Sequence, residues 1–222
     1  MALFYFVRHG VSGWNAESRL CGRTDVPLAE EGRRQAALLG ERLRGLSATA
    51  LYTSPLRRAV ETAEIIARAV GLAPMVDERL VELDYGAWEG KTFAEIMAQE
   101  ADAFRAWDAD PGNVAPRGGE SGGQALQRVA PFLEELAARH AGEREHAIVV
   151  CHRTICRLVV CHALGLSPSE YRRRLSMDNA ALNIIQSTIY GSPGAAGWRL
   201  ILLNDTSHLA PIHTETTLNE TF

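Results

Sequence analysis

No apolar run in this sequence approaches the roughly 18 residues that a membrane-spanning helix requires. The first apolar run also lacks a basic leader and a small-residue cleavage site. Both absences lead us to expect a cytoplasmic chain with no membrane partner. Cysteine is scarce: Cys21, Cys151, Cys156 and Cys161 form no C-x-x-C pair, so reduced thiols are expected rather than a disulfide framework. Those three later cysteines and His162 have no usual metal-ligand spacing either, and they are read as packing, with no metal site. Positive charge is not in excess. A net charge of −4 predicts no general affinity for nucleic acid, so the arginines must act locally. Internal repeats and convincing linkers are missing, and residues 1–222 are read as a single domain. The Asn-x-Thr matches at Asn204 and Asn219 matter only in a secreted protein and are taken as chance.

What is present suits a soluble α/β globule, with 46% apolar and 23% charged residues, neither of which marks a disordered or fibrous chain. The stretch Phe4-Tyr5-Phe6-Val7-Arg8-His9-Gly10 is long enough for a buried strand and too short for a buried helix. His9 therefore falls where a strand stops. From Val11 to Pro27 there is no helical or strand period, which predicts a long loop folding back over that strand end. Apolar spacing predicts helices over Ala29–Leu46, Leu56–Val70, Glu120–Arg139 and Thr154–Leu164, with Ser54-Pro55 starting the second. Short apolar runs predict strands at Ala50–Thr53, Pro74–Val76, His146–Cys151, Ala180–Ile189 and Trp198–Leu203. A Gly/Pro turn joins the last two, and a loose polar tail begins at Ala210. Strand, helix, strand in this order implies a mostly parallel sheet in a three-layer α/β/α sandwich. The segment from about 78 to 119, with a weak helix near Thr92–Trp107, breaks the alternation and is read as an inserted cap region covering the sheet edge.

His152 repeats the logic of His9, because the run Ala147–Cys151 ends in a histidine and a helix follows. In open parallel sheets ligands bind outside the carboxyl ends of the strands, so two imidazoles delivered there mark a candidate site. The helix N-terminus after His152 offers backbone N-H groups to an anion. Arg8, Arg57 and Arg58 fall at the same edge, and guanidinium is the side chain best matched to phosphate oxygens.

The blocks Val7-Arg8-His9-Gly10 with Trp14-Asn15, Gly22 to Leu28, Ser54 to Ala59 with Thr62-Ala63, Glu82 with Tyr85-Gly86 and Trp88-Glu89-Gly90, Gly119-Glu120-Ser121, and Asn204 to Leu209 resemble the histidine phosphatase superfamily, in its phosphoglycerate-mutase-like branch. The resemblance runs nearly end to end, and it is nearer to small-metabolite phosphatases such as α-ribazole phosphatase than to true mutases. It implies that His9 is the nucleophile, forming a phosphohistidine, while Arg8, Arg58 and His152 neutralise the phosphoryl oxygens. Glu82 is implied as the proton donor to the leaving group and then the base for water, a role that wants a partly buried carboxyl. Asn15 matches a phosphate-holding position. Such chemistry requires no metal and no other cofactor.

Two departures bear on the substrate. Arg153-Thr154 follow His152 where the family commonly has two glycines; Arg153 either adds charge near the substrate or points to solvent. Cys21, just before Gly22, sits where the loop should face the substrate. A short segment 78–119 favours hydrolysis over return of the phosphoryl group. The expectation is thus a metal-independent phosphatase of a small phosphorylated metabolite. The alternative is a phosphoglycerate mutase, and a third reading is a non-catalytic phosphate-binding module, which the presence of both His9 and Glu82 disfavours. Trp88, Phe93, Met97, Phe104 and Trp107 are candidate pocket lining, although a stripe at helical spacing is more often core. The sequence leaves oligomeric state open, a homodimer included.

Overall fold

Six segments rich in β-branched and aromatic residues pair into one sheet: β1 (Leu3–Arg8), β2 (Ala48–Thr53), β3 (Pro74–Val76), β4 (His146–Cys151), β5 (Leu182–Thr188) and β6 (Gly197–Asp205). The computed structural model describes residues 2–142, 145–188 and 197–210. The Gly/Pro turn expected before β6, the polar tail beyond Ala210 and Asn219 lie outside the described residues. The strand order is β3-β2-β4-β1-β5-β6. The ladders from β3 through β2 and β4 to β1 are all parallel, while β5 runs antiparallel to both β1 and β6. One strand therefore opposes the other five, and the sheet is mostly parallel as expected.

Among the described residues seven α-helices accompany these strands: α1 (Gly13–Ala16), α2 (Glu30–Leu43), α3 (Arg57–Val70), α4 (Phe93–Ala109), α5 (Gly122–Arg139), α6 (Arg153–Leu164) and α7 (Tyr171–Arg174). Side chains alternate across a strand, and that alternation splits the core in two. Tyr5, Val7, Leu51, Ile148 and Val150 face α2 and α3, where Leu39, Leu43, Ala59, Ala63 and Ile66 meet them. Phe4, Phe6, Tyr52, Val149 and Cys151 face the other way, against Val129, Phe132 and Leu133 of α5 and Ile155, Val159 and Val160 of α6. Two apolar faces on one sheet, each covered by helices, make the three-layer α/β/α sandwich.

Several local expectations change. The loop after β1 contains α1, one turn closed by a capping box between Ser12 and Asn15, too short for a period to reveal. Helix α3 begins at Arg57 rather than at Ser54-Pro55; its first amide is capped at 2.7 Å by the Asp25 carboxylate, brought across by the loop. Leu80, Leu83, Trp88, Ile96 and Trp107, from the segment between β3 and α5, join the core on the α5 and α6 face. Trp88 and Trp107 are thus core residues, Met97 is half exposed, and of the expected lining aromatics Phe93 alone reaches the cavity described below. Among the described residues no helix is long and apolar enough to cross a membrane.

The topology also fixes where a ligand can enter. Strands β1 and β4 are neighbours, yet α2 leaves the loop after β1 on one face and α6 leaves β4 on the other. Adjacent strands whose connections diverge open a crevice at their carboxyl ends.

Candidate active site

That crevice holds a cavity of about 340 Å³, lined by Arg8, His9, Asn15, Cys21, Gly22, Arg58, Glu82 and Arg153. Of the candidate phosphate-site residues, His152 and Arg57 do not line it: His152 lies behind His9 with ring centroids 5.1 Å apart, and Arg57 is exposed and pairs with Glu61 at 2.8 Å. Backbone bonds carry the strand geometry on to these residues. His9 N donates to Cys151 O at 3.0 Å, and Ser54 N donates to Val150 O at 3.0 Å. Gly10 is required where the chain turns away, because a Cβ there would overlap the backbone of Gly32 at the start of α2.

The hydrogen bonds of His9 define its tautomer. Nδ1 lies 2.7 Å from the carbonyl oxygen of Gly10, which can only accept, so Nδ1 carries the proton. Nε2 then bears the lone pair, and it is this atom that meets Nε of Arg58 at 3.2 Å. Burial, reinforced by the charges of Arg58 and Arg8, holds the His9 imidazole well below its ordinary pKa and therefore neutral. His152 is held down in the same way, by burial first and then by Arg58. Its Nε2 pairs with Ser54 Oγ at 2.7 Å, while its Nδ1 has no partner among the described residues.

These shifts make stability pH-dependent. In the unfolded chain both imidazoles titrate near 6.5, whereas the folded values lie far lower, so below that pH the unfolded state binds protons that the folded state cannot. The contribution is complete above about pH 6.5 and is lost as pH falls through the acid range. We expect roughly 1 kcal/mol per pH unit from each histidine. Thermal melts between about pH 7.5 and 5.5 check this, and His9→Ala should flatten the slope.

Arg58 is fully buried and held by carbonyls: Nη2 donates to Gly22 O at 2.6 Å and Nη1 to Thr24 O at 2.9 Å. The loop carrying those carbonyls is in turn gripped by Glu89, which accepts from Arg23 N at 2.8 Å, Thr24 N at 2.9 Å and the Thr24 hydroxyl. Gly22 has φ +51°, and a Cβ there would collide with that same carboxylate. The chain of contacts runs from Glu89 through residues 22–24 and Arg58 to His9. Glu89→Gln places an amide N-H against backbone donors, so we expect kcat to fall about ten- to hundredfold through misplacement of Arg58. Steady-state kinetics on folded protein, with circular dichroism as control, check this.

Arg8 donates from Nη1 to Met177 O at 2.6 Å, and its Nε has no partner among the described residues. Burial, with Arg153 and Arg157 nearby, lowers it to about 9, so it remains a cation at neutral pH. Glu82 is 6% exposed; its carboxylate accepts from Leu83 N at 2.8 Å and from Thr154 N at 3.2 Å. The second bond corrects an expectation, since an amide at the α6 N-terminus serves Glu82 rather than being left open for an anion. Asn15 Oδ1 accepts from Asn179 Nδ2, which also reaches His9 O, both at 3.3 Å. Cys21 is buried beside Ser12 Oγ at 3.3 Å, and burial pushes its thiol up, away from thiolate character. Cys151 and Cys156, with sulfurs 3.3 Å apart, are core residues.

Six lining residues were not singled out from the sequence: Ser18, Arg19, Leu20, Arg157, Arg172 and Asn179. Arg157 follows Arg153 by four residues, a spacing that puts both on one helix face. Arg172 belongs to α7, packs over Trp107 at 4.2 Å and pairs with Asp108 at 3.0 Å.

A neutral buried histidine at the switch point of a parallel sheet, ringed by guanidinium groups, defines an enzyme of phosphate esters. Residues 4–206 match the histidine phosphatase superfamily (branch 1), and the chain belongs to that family as a phosphomonoester hydrolase. Phosphoserine phosphatase 1 of Hydrogenobacter thermophilus is 34% identical over 215 residues, 97% of this chain and 98% of that protein. A Klebsiella pneumoniae protein named "Probable phosphoglycerate mutase GpmB" is 37% identical over 212 residues, covering 94% and 95%. The structure of mycobacterial glucosyl-3-phosphoglycerate phosphatase superposes with a TM-score of 0.83 at 30% identity, covering 91% of this chain and 98% of that one. The α-ribazole phosphatase from Shigella flexneri gives 0.79 at 23% identity, covering 92% and 96%, a likeness of fold.

Proposed function

We propose that this enzyme hydrolyses a small phosphorylated metabolite through a phosphohistidine on His9. The observation that carries the reading is the tautomer: Nδ1 is committed to Gly10 O, and the unprotonated Nε2 is the ring atom beside Arg58. In the first step Nε2 attacks phosphorus while the ester oxygen leaves with a proton from Glu82. In the second, water attacks the phosphohistidine as Glu82 takes its proton, releasing inorganic phosphate and restoring neutral His9. Arg8, Arg58 and His152 stabilise charge on the non-bridging oxygens, supported by the unpartnered Nε of Arg8 and Nδ1 of His152. Asn15 and the loop at Cys21-Gly22 shape the phosphate end, and segment 78–119 acts as the cap. Every group in this scheme is a side chain, and no metal or other cofactor enters it.

The relative named as a mutase supports a second outcome, in which the phosphoryl group returns to the bound intermediate instead of passing to water. Incubation with phosphoglycerates separates the two. Release of inorganic phosphate supports hydrolysis, and isomerised phosphoglycerate formed faster than phosphate supports the mutase.

A further inference from the structure

The cavity carries more positive charge than one phosphoryl group uses. Six arginines line it, Arg8, Arg19, Arg58, Arg153, Arg157 and Arg172, against a single carboxylate, Glu82. Two are neutralised by the protein itself: Arg19 by Glu17 and Glu95, and Arg172 by Asp108. A phosphate dianion matches two more, Arg8 and Arg58. Arg153 and Arg157 remain.

Neither has a hydrogen bond or ion pair among the described residues, and the Nε of each is buried without a partner. Both side chains are half-buried; desolvating an unpaired cation is costly, and placing two of them a turn apart adds repulsion. The repulsion is felt: burial, then Arg153, then Arg172 bring Arg157 down to about 10. An anion between the two converts that cost into charge-assisted contacts. The geometry also gives the direction. Helix α6 starts immediately after His152, which meets the His9 ring edge-on, and four residues of helix advance about 6 Å. The face bearing Arg153 and Arg157 therefore begins at the reaction centre and leads away from it.

We infer that Arg153 and Arg157, backed by Arg172, form a second anion subsite, so that the substrate is a phosphomonoester bearing another anionic oxygen group, a carboxylate or a second phosphate, a few bonds from the ester. This rests on the hydrolase reading above and narrows its substrate class. It also answers the question left by the sequence, since Arg153 faces the cavity rather than solvent.

The test compares kcat/KM for matched esters. 3-Phosphoglycerate and glycerol 3-phosphate differ by carboxylate against hydroxymethyl, and propane-1,3-diol bisphosphate and its monophosphate differ by the second phosphate. The wild-type enzyme should favour at least one anionic member over its partner by about tenfold or more, and the favoured pair identifies the group. Arg157→Gln should lower that ratio by about tenfold, with Arg157→Lys restoring part of it. Hydrolysis of p-nitrophenyl phosphate without preference in either pair overturns the subsite and leaves the phosphatase standing. A preference that Arg157→Gln does not alter overturns its assignment to these arginines. Absence of phosphate release from every ester overturns both readings. The wild-type comparison needs no variant, so a misfolded substitution cannot decide the matter.

Discussion

His9→Ala is expected to lower phosphate release by on the order of 10⁴-fold or more, because it removes the group proposed to accept the phosphoryl moiety. The remaining donors, Arg8, Arg58 and His152, can still bind and polarise an ester, but none of them offers an unprotonated nitrogen lone pair where Nε2 of His9 does. A loss confined to KM would mean that His9 only binds. The variant should fold, since it deletes an imidazole that sits desolvated between two cations. Phosphate release under saturating substrate, with thermal melts alongside, measures both parts.

Glu82→Gln carries the second large effect, and its size should depend on the leaving group. Gln keeps the volume and one acceptor for Leu83 N or Thr154 N, so the local backbone has reason to stay in place. What it cannot do is donate a carboxylic proton to a departing alkoxide. Turnover of alkyl phosphates should fall about 10²- to 10⁴-fold. For p-nitrophenyl phosphate, whose leaving group needs little protonation, the first step should be much less affected. Equal losses in that first step on both esters, read as the burst of released alcohol, would argue that Glu82 is structural.

The reach of the sequence can be judged from particular residues. Strands β1 and β4 were legible because buried runs bounded by polar residues have few alternatives, and with them came the placement of His9 and His152 at one edge. The direction of β5 carries no sequence signal, since an antiparallel strand uses the same apolar alphabet as a parallel one. Helix α7 is four residues long and reads as a solvated run of arginines, yet Tyr171 is buried and Arg172 turns inward over Trp107. Arg157 was hidden by its neighbours: seven residues of α6 are buried, so the helix reads as core and its charged position as incidental. The task of Glu89 is carried by backbone amides of residues 23 and 24, which no side-chain pattern discloses. The helix N-terminus after His152 was read as a source of donors, but the recipient of one of them, Glu82, comes from 72 residues earlier in the chain. The block around it made Glu82 visible; only the fold shows what holds it.

The most direct measurement is rapid-quench trapping of the enzyme during turnover of a ³²P-labelled phosphomonoester, followed by peptide mapping. The account predicts an acid-labile, base-stable label on the peptide containing His9, formed at least as fast as steady-state turnover and absent in His9→Ala. A catalytically competent enzyme that never carries this label, or a His9→Ala variant that labels and turns over like the wild type, would contradict it.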